Sequence, residues 1–245
     1  MPTPLPKPSP ANMVSRHRLR NCLWMVAAWL PALAIATLSG GAELAAQAPV
    51  KTAPVRIVVL GDSLVAGFQI RLADAFPAQL ERALKARGEA VEVANAGVSG
   101  DTTAGGLERV GWAVPKGTDA VILELGANDA LRGLDPALAK ANLDKIITEV
   151  KATGAEVMLA GMQAPHNWGE AYVKAFNAIY PGLAVKHGTL LYPFFLDGVV
   201  MDAKLNLGDG MHPNAKGVAE IVRRILPKVE ELIARVRARR AATGG

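Results

Sequence analysis

The 245-residue chain is poor in the groups that mark several protein classes. It has a single cysteine, Cys22. One thiol, placed ahead of the main body of the chain, leaves the folded part without a disulfide framework or a thiolate metal cluster. Aromatic residues make up only 5%, which argues against a surface that stacks sugar rings or nucleic-acid bases. Charge of either sign is nearly balanced, with 27 basic and 22 acidic residues and a net charge of +5. No basic stripe tracks a phosphate backbone, so a nucleic-acid partner is not expected. There is no G-x-G-x-x-G, no P-loop and no H-E-x-x-H. Neither a metal nor any other cofactor is therefore expected.

What is present begins with a leader pattern. A basic stretch, Ser15 to Arg20, precedes an uncharged run from Asn21 to Ala42, and the small-residue segment Ala45-Ala-Gln-Ala48 follows. These are the parts of a secretory signal peptide. Residues 1–48 are accordingly expected to be a leader, residues 49–245 the mature domain, and the protein periplasmic or secreted. The uncharged run is also long enough to span a bilayer, which takes roughly 20 residues, so a membrane anchor through residues 21–42 is the alternative. Any other membrane contact would come through a lipid substrate. At the far end, Arg235, Arg237, Arg239 and Arg240 read as the solvated face of a terminal helix.

Between these ends, short apolar runs alternate with amphipathic ones. Strands are expected over 55–60, 91–94, 120–125, 156–160 and 190–192. Helices are expected over 77–87, 102–113 (loosened by Gly105 and Gly106), 136–152, and 168–187 with a break near Pro181-Gly182. A last helix is expected from Pro213 onward, kinked or broken at Pro227. Alternating strands and helices imply a parallel sheet with right-handed crossovers, whose ligands bind beyond the carboxyl ends of the strands.

The polar and glycine residues gather at those ends. The first strand runs into Gly61-Asp-Ser-Leu64, the second into Asn95-Ala-Gly-Val-Ser-Gly-Asp101, and the third into Gly126-Ala-Asn-Asp129. The last helix follows Asp209-Gly-Met-His212-Pro213. Acyl transfer needs these residue types. A serine hydroxyl becomes a useful nucleophile when a base removes its proton, and histidine suits that task. A carboxylate must fix the histidine tautomer, and N–H donors must meet the developing oxyanion. Ser63, His212 and Asp209 can fill the first three roles. The backbone N–H groups of Ser63 and Gly97 and the side-chain amide of Asn128 can supply the oxyanion donors.

Blander roles also exist. Ser63 is a permissible helix cap, Asp62 and Asp129 read as loop braces, and Asp101 reads as a cap for the helix near Thr102. His187 has the setting of a helix C-terminal residue. His166, with Leu131, Leu134, Met162 and Trp168 on two loops, is a candidate for substrate contact at the rim.

Taken in order and spacing, the four blocks resemble the SGNH (GDSL-type) hydrolases over about residues 55–225, most closely the thioesterase I, lysophospholipase L1 and arylesterase branch. The stretches Leu123 to Gly133 and Ala164 to Gly169 carry the branch resemblance. It implies a three-layer α/β/α domain with a five-stranded parallel sheet in the order 2-1-3-4-5. It also implies a cofactor-free serine esterase acting on small-molecule carboxylic esters or acyl thioesters. Because Val65 stands where a G-x-S-x-G elbow needs its second glycine, the α/β-hydrolase pattern is disfavoured. Two other functions are weighed. One is a carbohydrate O-acetyl esterase on the same machinery, which the few aromatics oppose. The other is a non-catalytic binding protein, which the complete Ser/Asp/His set opposes.

Overall fold

The computed structural model describes residues 53–243. The expected leader, with Cys22 and the boundary at residue 48, lies outside the described residues. Five strands, β1 (Val55–Gly61), β2 (Val91–Gly97), β3 (Ala120–Glu124), β4 (Glu156–Ala160) and β5 (Leu190–Tyr192), form one parallel sheet in the order β2-β1-β3-β4-β5. This is the expected order, and each of the five expected strands is present. Strands β1 and β3 are interior, covered on both faces, and consist of nearly unbroken apolar runs. Strand β2 is an edge strand with an intermittent burial pattern. It runs three residues past its expected end, because parallel pairing with Val59, Leu60 and Gly61 carries Asn95, Ala96 and Gly97 along. Pairing overrides the poor strand propensity of Asn and Gly.

Eight α-helices accompany the strands among the described residues: α1 (Ser63–Ala66), α2 (Phe76–Ala86), α3 (Thr103–Ala113), α4 (Ala127–Leu131), α5 (Pro136–Ala152), α6 (Glu170–Asn177), α7 (Ile179–His187) and α8 (Ala215–Thr243). Helix α2 packs on α8, while α3 and α7 pack on α5. The chain moves outward from β1 to β2, then returns past β1 to β3. The reversal leaves a crevice at the carboxyl ends of β1 and β3.

Three of the differences between expected and observed helix boundaries have a clear local cause. Thr102, not Asp101, caps α3: its side chain accepts from the Gly105 N–H at 3.4 Å. The break expected near Pro181 falls at Ala178. A proline removes the bond to the carbonyl four residues upstream, so the interruption appears on that side of it. Helix α8 begins at Ala215 instead of Pro213, capped by Asn214 Oδ1, which accepts from Lys216 N at 2.9 Å and Gly217 N at 3.1 Å. It then continues through Pro227. Pro227 and Arg223, whose carbonyl loses its donor, are both exposed, so water can satisfy that carbonyl. Among the described residues, no helix is long and apolar enough to cross a membrane.

The terminal arginines are not the free solvated face that their spacing suggests. Arg237 pairs with Glu89, Arg239 faces Glu156 at 3.8 Å, and Arg235 reaches Glu231 and the Gly188 carbonyl. Arg240 does most. It meets Asp119 Oδ2 at 2.6 Å and donates to the Ala53 and Pro54 carbonyls at 2.8 and 3.0 Å. It thereby fastens the end of α8 to the start of β1. We expect Arg240→Ala to lower unfolding stability by about 1–2 kcal/mol, the range for charge-assisted bonds that are partly screened by solvent. A fall in urea midpoint, with ester turnover unchanged below the transition, is the outcome to look for.

Candidate active site

Strand β1 passes directly into the short helix α1. Its cap is Asp62, whose Oδ1 accepts from the Leu64 N–H at 3.0 Å. Ser63 is therefore relieved of the capping role and occupies the first helical position. Its hydroxyl lies 2.9 Å from His212 Nε2, although the two residues are 149 positions apart. The Ser63 N–H opens the helix and finds no acceptor among the described residues.

His212 is held from its other side. Asp209 Oδ2 lies 2.6 Å from His212 Nδ1, while Oδ1 accepts from Met211 N at 2.9 Å and His212 N at 3.0 Å. A carboxylate at Nδ1 assigns the proton to that nitrogen, leaving Nε2 as the acceptor for the Ser63 hydroxyl. The two backbone N–H groups and the imidazole hold the Asp209 carboxyl down to about 2. The Leu207 N–H donates to the His212 carbonyl at 2.8 Å, and Pro213 bridges to Asn206, which pins the loop. The Phe68 ring lies over the imidazole, with centroids 4.4 Å apart. By contrast, His187 binds Asp144 across α5 and α7 and serves as a structural staple.

The expected oxyanion donors are placed less simply. Asn128 lies in the first turn of α4, and its Nδ2 donates to the Asp101 carbonyl at 2.9 Å and to Asp62 Oδ2 at 3.2 Å. Two acceptors around one amide nitrogen fix which way the side chain faces. The Gly97 N–H, however, is taken up by Asn95 Oδ1 at 2.9 Å. That is a correction to the sequence reading. Gly97 is needed for packing instead: a Cβ there would lie 2.3 Å from the Ala66 N, in the backbone of α1. Gly100 has the properties that Gly97 lacks. It sits at φ +86° in the turn closed by Asp101 N to the Val98 carbonyl, its N–H has no acceptor among the described residues, and it adjoins the carbonyl that holds Asn128. The signal was present in Asn95-Ala-Gly97, since an Asn side chain commonly binds the N–H two residues on.

Asp129 is a brace, as expected, accepting from Thr103 N at 2.8 Å and Thr103 Oγ1 at 2.7 Å. Asp101 is not a cap. Its carboxylate pairs with the buried Arg109 at 2.6 Å. Glu124 went unnoticed in the sequence reading, although an acid inside Ala120-Val-Ile-Leu-Glu-Leu125 is itself a signal. It is fully buried at the end of β3. Its Oε2 accepts from the Asp62 N–H at 3.3 Å, and its Oε1 has no partner. Burial, and then the neighbouring Asp62, push the Glu124 carboxyl well above the usual range. Burial also raises Asp62, to about 6, against the opposing effects of the Leu64 N–H, His212 and Asn128.

The two rim loops meet where the Trp168 ring covers Gly133, at which a Cβ would lie 2.9 Å from the indole. Tyr172 donates to the Leu134 carbonyl at 2.8 Å and braces the same junction. Leu131, Leu134 and Trp168 remain exposed, as does His166 in a 3-10 turn over 166–168. Met162 is a correction. It is 3% exposed and belongs to the core, so it offers no surface to a ligand. A separate concavity beside Arg56, Glu81 and Lys116 lies at the amino ends of β1 and β2, opposite Ser63.

Residues 59–220 match the model of a GDSL-like lipase/acylhydrolase family. The chain is 40% identical over 177 residues to an arylesterase of Vibrio mimicus, which covers 71% of this chain and 88% of that protein. It is 38% identical over 159 residues to thioesterase 1/protease 1/lysophospholipase L1 of Escherichia coli, covering 64% and 75% respectively. Among solved structures it resembles AlinE4, an SGNH-hydrolase family esterase, with a TM-score of 0.62 and 42% identity over 73% of this chain and 96% of that one.

The buried acid makes a pH prediction. The native state keeps a proton on Glu124 at pH values where the unfolded chain, with a carboxyl pKa of about 4.3, has released it. The native form then binds more protons, so stability falls as pH rises above that value. Glu124→Gln removes this contribution. The drop in urea midpoint from about pH 5 to about pH 8 should be smaller in the variant than in the parent. Equal drops would mean that Glu124 is ionised in the folded protein.

Proposed function

The chain belongs to the GDSL-like lipase/acylhydrolase family, and from that premise we propose that it hydrolyses carboxylic esters or acyl thioesters through an acyl-enzyme on Ser63. The observation that carries this reading is the 2.9 Å contact between the Ser63 hydroxyl and His212 Nε2, with Asp209 on Nδ1. In the first half-reaction Ser63 Oγ bonds to the acyl carbon while its proton passes to Nε2. Asp209 stabilises the imidazolium that results. The tetrahedral oxyanion is met by the Ser63 N–H, the Gly100 N–H and Asn128 Nδ2, with Gly100 taking the place assigned to Gly97 from sequence. Asn128 exchanges its longer bond, to Asp62, for the oxyanion. Collapse of the intermediate breaks the bond to the alcohol or thiol, which leaves with the proton from His212. Water then repeats the sequence: His212 takes its proton, its oxygen attacks the acyl carbon, and Ser63 regains its hydrogen as the acid departs.

The rim of Leu131, Leu134, Trp168 and His166 supports the same reading as the wall met by the acyl or leaving group. Residues 1–48 are read as an export leader on their charge and apolar pattern alone, with an uncleaved anchor over 21–42 as the other outcome. Sequencing the amino terminus of the exported protein distinguishes the two.

Ser63→Ala should abolish p-nitrophenyl ester hydrolysis and covalent labelling by a fluorophosphonate while leaving the unfolding curve intact. Retained turnover would remove the mechanism. Asn128→Ala should lower kcat by about 10²–10³, the usual loss of one oxyanion donor, and a loss below about tenfold would make Asn128 structural. Rates on acyl-CoA, lysophospholipid, aryl ester and acetylated sugar, measured side by side, rank the substrate classes.

A further inference from the structure

We propose that Arg109, a residue outside the four motif blocks, is the positioning residue that locks the oxyanion donors to the nucleophile turn. The inference rests on the acyl-enzyme reading above. Arg109 lies in α3 and is 5% exposed. Its guanidinium makes a directed bond to each of three segments that build the site. Nη2 donates to the Gly61 carbonyl at 2.8 Å, Nη1 to the Ala96 carbonyl at 2.7 Å, and Nε to Asp101 Oδ2 at 2.6 Å. Gly61 immediately precedes Asp62 and Ser63. Ala96 is the next-to-last residue of β2, just before the Gly-rich turn. Asp101 closes that turn, and its own carbonyl holds Asn128 Nδ2 at 2.9 Å.

One planar cation therefore joins the nucleophile segment, the turn that presents Gly100, and, through Asp101, the amide of Asn128. The Gly61 carbonyl also accepts from the Val98 N–H at 3.0 Å, so the guanidinium adds a second, charge-assisted donor to it. Burying that charge would be unfavourable without a counter-charge, which Asp101 provides. The glycine that loosens α3 has its explanation in the same pair. A Cβ at Gly105 would lie 2.7 Å from Asp101 Oδ1, so the helix gives up propensity to admit the carboxylate. A lysine keeps the charge but lacks the rigid fork, and it cannot meet three acceptors in one plane.

The test uses Arg109→Lys and Asp101→Asn with a p-nitrophenyl ester. Competent sites are counted by fluorophosphonate titration run to completion, and folding is followed in urea. A misplacement of about 1 Å can cost on the order of a hundredfold in rate. We therefore expect kcat per titrated site to fall about 10- to 100-fold in Arg109→Lys and less in Asp101→Asn, with KM within about twofold of the parent. An unchanged kcat per titrated site, with only stability or the titratable fraction reduced, makes Arg109 a fold element and overturns the proposal. A loss carried by KM alone also overturns it. If Arg109→Lys does not fold, Asp101→Asn decides by the same criteria. A parent protein that fails to label would overturn the acyl-enzyme reading instead, which keeps the two failures distinct.

Discussion

The catalytic edge depends on one register. Parallel pairing sets Gly61 beside Gly97 on one flank of β1 and beside Glu124 on the other. A side chain at Gly61 would lie 2.4 Å from Val65 Cγ2 and 2.6 Å from Glu124 Oε2. Only glycine lets the turn into α1 settle onto the buried acid. A slip of one residue would send every side chain of β1 to the opposite face and take Ser63 away from His212. The apolar runs of β1 and β3, covered on both sides, make that slip costly because they embed the register in the core.

Within this frame, four carboxyl groups have different tasks because their surroundings differ. Asp209, near solvent and ringed by N–H donors, stays ionised and orients the imidazole. Asp62, buried, is shared between the cap of α1 and the amide of Asn128. Glu124 lies beneath it, its carboxyl pushed well above the usual range by burial. Asp101 answers the buried guanidinium of Arg109. Desolvation pushes the two acids under the nucleophile turn up, while hydrogen bonds at the loop pull Asp209 down.

Much of this was legible in the sequence for identifiable reasons. Strand positions followed from apolar runs bounded by Gly, Asn and Pro. Ser63, Asp209 and His212 were visible because their order, and their placement at strand ends or before a helix, match the chemistry of acyl transfer. What escaped was directional. Choosing between Gly97 and Gly100 required knowing where Asn95 points its amide. Arg109 looks like an ordinary polar residue on a helix until α3 is laid across the ends of β1 and β2. Met162 follows β4 on a segment that looks like a loop, yet the chain folds it inward. Each case turns on contacts between segments distant along the chain, which local propensity does not encode.

Helix α8 has a practical consequence. It starts just after His212, at the edge of the sheet where Ser63 lies, and finishes where Arg240 grips the residues leading into β1, at the opposite edge. The end of α8, at Thr243, therefore lies on the side of the sheet away from the chemistry. A surface tether or purification handle joined there would hold the protein with its reactive face directed outward, so that immobilisation need not obstruct access to Ser63.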